Sequence, residues 1–130
     1  MKKPVSERIF VYGALRRGAS NHWRMEGAKF LGEATVTGTL VKVDWYPGLV
    51  LDGVTQVLGE VYEVSANLLA ELDDFEGLTN GGLFDEYDRV IARVEVGGQP
   101  LEASIYEWQK GVAGYEVVEN GDWLTEGASR

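Results

Sequence analysis

Residues 8–18 read RIFVYGALRRG, an apolar strand, a glycine break and two arginines within eleven positions. RIFVY is short, β-branched and aromatic, and Gly13 bounds it, which predicts a first strand. A strand that stops at glycine inside a small barrel can present successive backbone N–H groups without side-chain cover, the geometry of an anion nest or an oxyanion hole. An ordinary strand-ending turn satisfies the same residues, and on local grounds it is the simpler reading. Arg16 and Arg17 would add positive potential beside such a nest. The spaced glycines, lysine and hydroxyl residue of a phosphate loop are missing.

Outward from this segment, SNHWRMEG predicts one helical turn closed by Gly27. ATVTGTLVKV, residues 34–43, and QVLGEVYEV, residues 56–64, are Thr- and Val-rich strands on either side of a turn region, YPGLVLDG. SANLLAELDDFEG changes period: Leu68, Leu72 and Phe75 recur at helical spacing behind Ser65, a suitable N-cap. YDRVIARVEV alternates, with Val90, Ala92, Val94 and Val96 on one face, and LEASIYEW follows across GGQP, which predicts a hairpin. The glycine-rich remainder reads as a strap anchored by Trp123 and Leu124. Five or six strands with one or two short helices predict an α+β fold, a small and mostly antiparallel β-barrel, in one domain spanning 1–130. Gly38 and Gly59 fall inside strands, where a bulge or a close approach would require them.

Composition narrows the function. The chain has 130 residues, 45% of them hydrophobic, and 21 acidic against 12 basic side chains for a formal charge of −9. Such a surface repels phosphates and anionic lipid, so no nucleic-acid or membrane partner is expected. No apolar run approaches the roughly 18 residues of a membrane helix, and residues 1–8 lead into no signal core, so a cytoplasmic location is expected. There is no cysteine and one histidine, His22, which removes thiolate chemistry and leaves a poor start for a serine triad or a zinc site. His22 itself reads as a surface or helix-cap residue.

AELDDFEG breaks a local rule. Asp73, Asp74 and Glu76 crowd a helix C-terminus, where each carboxylate costs on the order of 0.3 to 1 kcal/mol unless solvent or cations relieve it. Such a conflict is a pointer to function. Phe75 would desolvate Glu76, and desolvation beside negative charge raises a carboxyl pKa toward what a general acid or base needs. The competing reading is a solvated acidic turn. Tyr87, Tyr106 and Trp108 are further candidates, with core packing as the alternative.

Taken in order, FVYGALRRGASNH, YPGLVL, GEVYEV, LDDFEG, YDRVIARVEV and SIYEW resemble the gamma-glutamylcyclotransferase family, in its small AIG2-like and gamma-glutamylamine cyclotransferase branch. The resemblance runs from Arg8 to about Trp123. It implies a small β-barrel enzyme that cyclises a gamma-glutamyl amide to 5-oxoproline and releases the amine. It further implies that Tyr12, Gly13, Ala14 and Leu15 hold the glutamyl carboxylate or amide oxygen through backbone N–H groups, that Glu76 is the acid/base, and that Tyr106 and Tyr87 line the pocket. The expected partner is a small gamma-glutamyl substrate, with no cofactor and no metal; the oligomeric state is left open. Ala14 stands where the family usually has Thr or Ser, so a hydroxyl contribution is lost while backbone donors remain. Two alternatives stay open: a non-catalytic domain that binds a small anionic ligand, and a biosynthetic enzyme that removes a gamma-glutamyl protecting group.

Overall fold

The computed structural model describes residues 6–75 and 86–126. Its elements in chain order are β1 (Ser6–Val11), a 3-10 turn (His22–Met25), β2 (Lys29–Lys42), β3 (Pro47–Ser65), α1 (Ala66–Phe75), β4 (Tyr87–Val96), β5 (Gln99–Trp108), β6 (Glu116–Val117) and α2 (Trp123–Glu126). The sheet runs β3-β1-β5-β4-β2-β6, and an additional β3–β2 pairing joins the first strand of that order to the fifth. Five strands therefore form a closed ring, which removes their open edges. Only β1 and β5 pair in parallel; the other pairings are antiparallel. This is the expected α+β, mostly antiparallel arrangement. No helix among the described residues is long and apolar enough to cross a membrane.

From Ile9 to Val11 β1 is apolar because both faces of that part are covered, the circumstance that favours an unbroken hydrophobic run over alternation. Phe10 and Tyr12 point into the ring with Leu40, Leu49, Val57, Val61, Ile105 and Trp123. Ile9 and Val11 face the other way, against Leu69 and Leu72 of α1 and Met25 of the 3-10 turn. Ser65 caps α1 as its sequence predicts, its hydroxyl accepting the Leu68 N–H at 3.1 Å. The β4–β5 hairpin turns at Gly97 and Gly98, with φ of +58° and +83°. Two consecutive left-handed residues of this kind match the twist of a tight hairpin.

Two expectations are corrected. YPGLVLDG is not a turn region: Pro47 to Leu51 already belong to β3, which runs for 19 residues. The turn is confined to the four residues between Lys42 and Pro47, which pair with each other. Proline is tolerated there because it is the first residue of the strand. The irregularity lies further on, where the register shifts between Gly38 and Thr39 and the chain at residues 51–54 bows out of the ladder. The C-terminal strap, in turn, contains the short strand β6 against β2 and the helical turn α2. Its Trp123 is buried in the core and Leu124 packs against it, as the sequence predicts.

Gly38 and Gly59 have the steric reasons expected of them. A Cβ on Gly38 would strike the Val50 carbonyl at the register shift. On Gly59 it would strike the Val11 carbonyl and approach Cζ of Phe10 to 2.7 Å. The close passage of β3 across the end of β1 therefore depends on that glycine.

Candidate active site

A cavity of about 260 Å³ opens at the carboxyl end of β1. The turn Tyr12, Gly13, Ala14 and Leu15 forms one part of its wall, Asp74 and Phe75 from the end of α1 another, and Tyr87 and Tyr106 a third. All six residues that the sequence proposes for substrate binding thus border one space. Glu76 lies outside the described residues, but Phe75, which precedes it directly in the chain, lines the cavity.

The turn is organised so that carbonyls are used up and amides are left over. The Gly13 carbonyl accepts the Arg16 N–H at 3.0 Å and the Ala14 carbonyl accepts the Asn21 N–H at 2.9 Å. The Leu15 carbonyl lies 2.9 Å from Nδ1 of His22; a carbonyl can only accept, so His22 carries a proton on that nitrogen. No acceptor among the described residues takes the amide hydrogen of Gly13, Ala14 or Leu15. Three successive amides without an internal partner, at the rim of a cavity, are suited to an anion or a carbonyl oxygen. Gly13 is needed for close packing, since a Cβ there would come within 2.5 Å of Cγ of Pro47.

The arginines correct the sequence reading. Arg16 is 8% exposed and does not border the cavity. Its Nε donates to Oε2 of Glu60 at 2.7 Å and Nη1 donates to Oδ1 of Asp122 at 2.9 Å. The other Glu60 oxygen accepts the Arg17 N–H at 3.1 Å and the Tyr62 hydroxyl at 3.4 Å. Arg16 thereby ties the turn to β3 and to the start of α2. Arg17 is exposed and lays its guanidinium over the Phe30 ring, 4.6 Å from its centroid. Its charge lies outside the cavity wall. Half-buried His22, at the start of the 3-10 turn, braces the Leu15 carbonyl and does not border the cavity.

The acidic end of α1 is also resolved in part. Asp73 receives Arg89 in a two-pronged pair, Nε on Oδ1 at 2.8 Å and Nη2 on Oδ2 at 3.1 Å, and Oδ1 also accepts the Tyr106 hydroxyl at 2.7 Å. The bond to Asp73 holds the Arg89 pKa above its ordinary value against the opposing effect of burial. A cation relieves one of the three carboxylates, as the electrostatics require. Asp73 is thus a strut that fixes the helix end against β4 and β5, while Asp74 borders the cavity.

The tyrosines are fixed by their hydroxyls. Tyr12 donates to the Tyr106 carbonyl at 2.6 Å and accepts the Leu49 N–H at 3.3 Å. Tyr87 donates to the Pro47 carbonyl at 2.6 Å. Both residues line the cavity. Trp108 stays out of it, packed edge-on to Tyr87 and over Gly48.

Sequence reasoning missed Trp45, Tyr46, Pro47 and Glu86, which with Phe10 and Val11 complete the wall among the described residues. Tyr46 donates to Oε1 of Glu86 at 3.1 Å. Burial and then the Glu86 carboxylate push the Tyr46 phenol up to about 12. The signal available was the aromatic pair Trp45–Tyr46 at the start of the supposed turn region, an odd composition for the edge of a solvated loop.

A ring of five strands with a cavity at the end of its first strand, bordered by the turn at residues 13–15 and by Asp74 and Glu86, defines a small α+β barrel with a candidate small-molecule site. The chain belongs to the gamma-glutamylcyclotransferase family: the family described as Gamma-glutamyl cyclotransferase, AIG2-like, matches residues 9–125, nearly the span over which the sequence motifs suggest it. It is 40% identical over 119 residues to the gamma-glutamylcyclotransferase family protein YtfP of Escherichia coli K12, covering 90% of this chain and 96% of that one. It is also 40% identical over 108 residues to the gamma-L-glutamyl-butirosin B gamma-glutamyl cyclotransferase of Niallia circulans, covering 76% and 69%. Among solved structures, the crystal structure of an AIG2-like protein from Mus musculus superposes with a TM-score of 0.78 at 28% identity, covering 95% of this chain and 92% of that one.

Proposed function

We propose that the protein is a gamma-glutamylcyclotransferase that converts the gamma-glutamyl group of a gamma-glutamyl amine or small peptide to 5-oxoproline with release of the amine. The observation that carries this reading is the run of three unpartnered amides at Gly13, Ala14 and Leu15, bordering the same cavity as the end of α1. The substrate supplies its own nucleophile. Its α-amine attacks its γ-carbonyl carbon, a C–N bond forms, and the bond from that carbon to the leaving nitrogen breaks. Glu76 takes the proton lost by the attacking nitrogen and delivers it to the leaving one, so that no water, metal or enzyme nucleophile is consumed. Folding the donor so that amine and carbonyl meet can contribute roughly 7 to 11 kcal/mol. Amides aimed at the carbonyl oxygen stabilise the tetrahedral intermediate. Ala14 contributes through its backbone, and Tyr12, Tyr87 and Tyr106 line the space around the donor. The likeness to the Niallia protein, whose printed name places the gamma-glutamyl group on butirosin B, supports donors with a large leaving amine, including removal of a protecting group.

The test is release of 5-oxoproline from a panel of gamma-glutamyl amines and peptides. Glu76→Gln should lower kcat by about 10²-fold or more, the usual contribution of a positioned acid/base, with an unchanged melting temperature. Absence of 5-oxoproline with every donor sinks the reading; full activity in Glu76→Gln removes that residue from its role.

A further inference from the structure

We infer that the amine half of this cavity selects gamma-glutamyl donors whose leaving group carries a second amine, positively charged, and no carboxylate. The inference rests on the cyclisation reading above. Asp74 and Glu86 are the charged side chains among the cavity's described lining residues; no Lys, Arg or His is among them. With the donor's γ-carbonyl oxygen on the amides of residues 13–15, its leaving amine lies against the remaining wall. That wall is Glu86 with three aromatic rings, Trp45, Tyr46 and Tyr87.

Carboxylate and rings form one arrangement. The Tyr46 hydroxyl on Glu86 fixes both groups. Trp45 stands edge-on to Tyr46 with centroids 5.1 Å apart, and Tyr46 lies 6.4 Å from Tyr87. Trp45 is 56% exposed although it is the largest kind of side chain, so the fold holds an indole at the cavity's edge without burying it. Arg24 stacks on Phe75 at 4.0 Å and Arg89 is engaged by Asp73, and neither side chain lines the cavity. An ammonium passing over aromatic faces toward a carboxylate is favoured by the ring quadrupoles and by the charge. A second carboxylate on the leaving group, as in a gamma-glutamyl amino acid, would meet like charge instead. The formal charge of −9 adds long-range attraction of the same sign.

The experiment compares three donors of similar length: mono-gamma-glutamyl cadaverine, which is cationic, gamma-glutamyl hexylamine, which is neutral, and gamma-glutamyl aminocaproate, which is anionic. For each, kcat/KM is measured from 5-oxoproline release and affinity by calorimetry, with the wild type and Glu86→Gln, at low and high salt. A part-exposed ion pair together with cation–π contact corresponds to about a tenfold preference for the cationic over the neutral donor. The anionic donor should be poorest. In Glu86→Gln the cationic-to-neutral ratio should fall to about threefold or less, with the melting temperature of the variant confirming that it is folded. Equal kcat/KM for the three donors, or the same ratio in wild type and Glu86→Gln, overturns the inference and leaves the cyclisation reading standing. If no donor is turned over but calorimetry gives the charge order and its loss in Glu86→Gln, cyclisation fails and the selectivity stands.

Discussion

Replacing Arg16 with methionine removes the cation from a desolvated cluster while keeping most of the side chain's apolar length. The side chains of Arg16 and Glu60 are 10% and 4% exposed, whereas that of Asp122 is 23% exposed. After the substitution Asp122 regains water, but Glu60 keeps only the Arg17 amide and the more distant Tyr62 hydroxyl. The loss is therefore concentrated on one buried carboxylate. Removing a single partner from a buried ion pair costs about 3 to 5 kcal/mol, which for a chain of this size lowers the melting temperature by about 10 to 20 °C. Arg17→Met is the comparison: that guanidinium is exposed over Phe30, and the change should cost about 0.5 to 1 kcal/mol. Urea denaturation of both variants gives the two free energies directly. Removing both charges in Arg16→Met with Glu60→Leu should recover most of the loss, because a buried pair replaced as a whole is often close to neutral, and the double-mutant cycle isolates their coupling. A loss below about 1 kcal/mol for Arg16→Met, or equal losses for the two arginines, would refute the desolvated pair and return Arg16 to the role of a surface cation.

Gly59→Ala should destabilise the fold by about 2 to 3 kcal/mol, measured by the same denaturation, because the new methyl group meets the Val11 carbonyl and the Phe10 ring; a change within 0.5 kcal/mol, the range usual for an ordinary surface site, would mean that β1 and β3 do not approach as described. The phenols of Tyr46 and Tyr62 are both pushed up to about 12, by burial first and by Glu86 and Glu60 respectively. Because the folded chain keeps these protons while the unfolded chain loses them near the ordinary value of 10.0, their stabilisation is complete below pH 10 and is lost as the pH rises toward 12. Phenolate absorbance should show Tyr46 and Tyr62 titrating late with urea midpoints falling over that window, and titration of both near 10 in the folded protein would contradict it.

What could be read in the sequence follows from what is local. β1 was legible because its part from Ile9 to Val11, buried on both faces, is an unbroken apolar run, and the β4–β5 hairpin because β4 alternates between its faces. α1 announced itself through Ser65 and the spacing of its leucines. The first part of β3 was hidden by Pro47-Gly48, a pair that belongs to turns when nothing covers it. Here Gly48 is required because a Cβ would come within 2.6 Å of Cγ of Trp108, sixty residues further along the chain, and the Pro47 carbonyl accepts from Tyr87, |i−j| = 40. No window along the chain contains those partners. The same limit hid Glu86 and Trp45 from the site, and it made Arg16 and Arg17 look equivalent although their surroundings are opposite.

The placing of the arginines bears on the chemistry of the turn as well as on its stability. A backbone amide binds an oxygen usefully only if the peptide cannot rotate away, since ordering it at the moment of binding would subtract from the interaction. In the turn after β1 the constraint comes from outside the cavity. Arg16 holds the chain to Glu60 and Asp122, His22 holds the Leu15 carbonyl, and the close fit of Gly13 on Pro47 fixes the strand end. An arginine in the cavity itself would bind an anionic group more strongly but would also neutralise the carboxylates that share that space. With the positive charge consumed behind the turn, the amides of residues 13–15 can meet the glutamyl end while Glu86 keeps its field for the other end. Loosening the turn through Arg16 should therefore weaken gamma-glutamyl binding without changing the preference among leaving amines, whereas Glu86→Gln should do the reverse. Measured on the three charge-matched donors, an Arg16 variant that altered the preference as much as Glu86→Gln would show that the two ends of the cavity are not separately built.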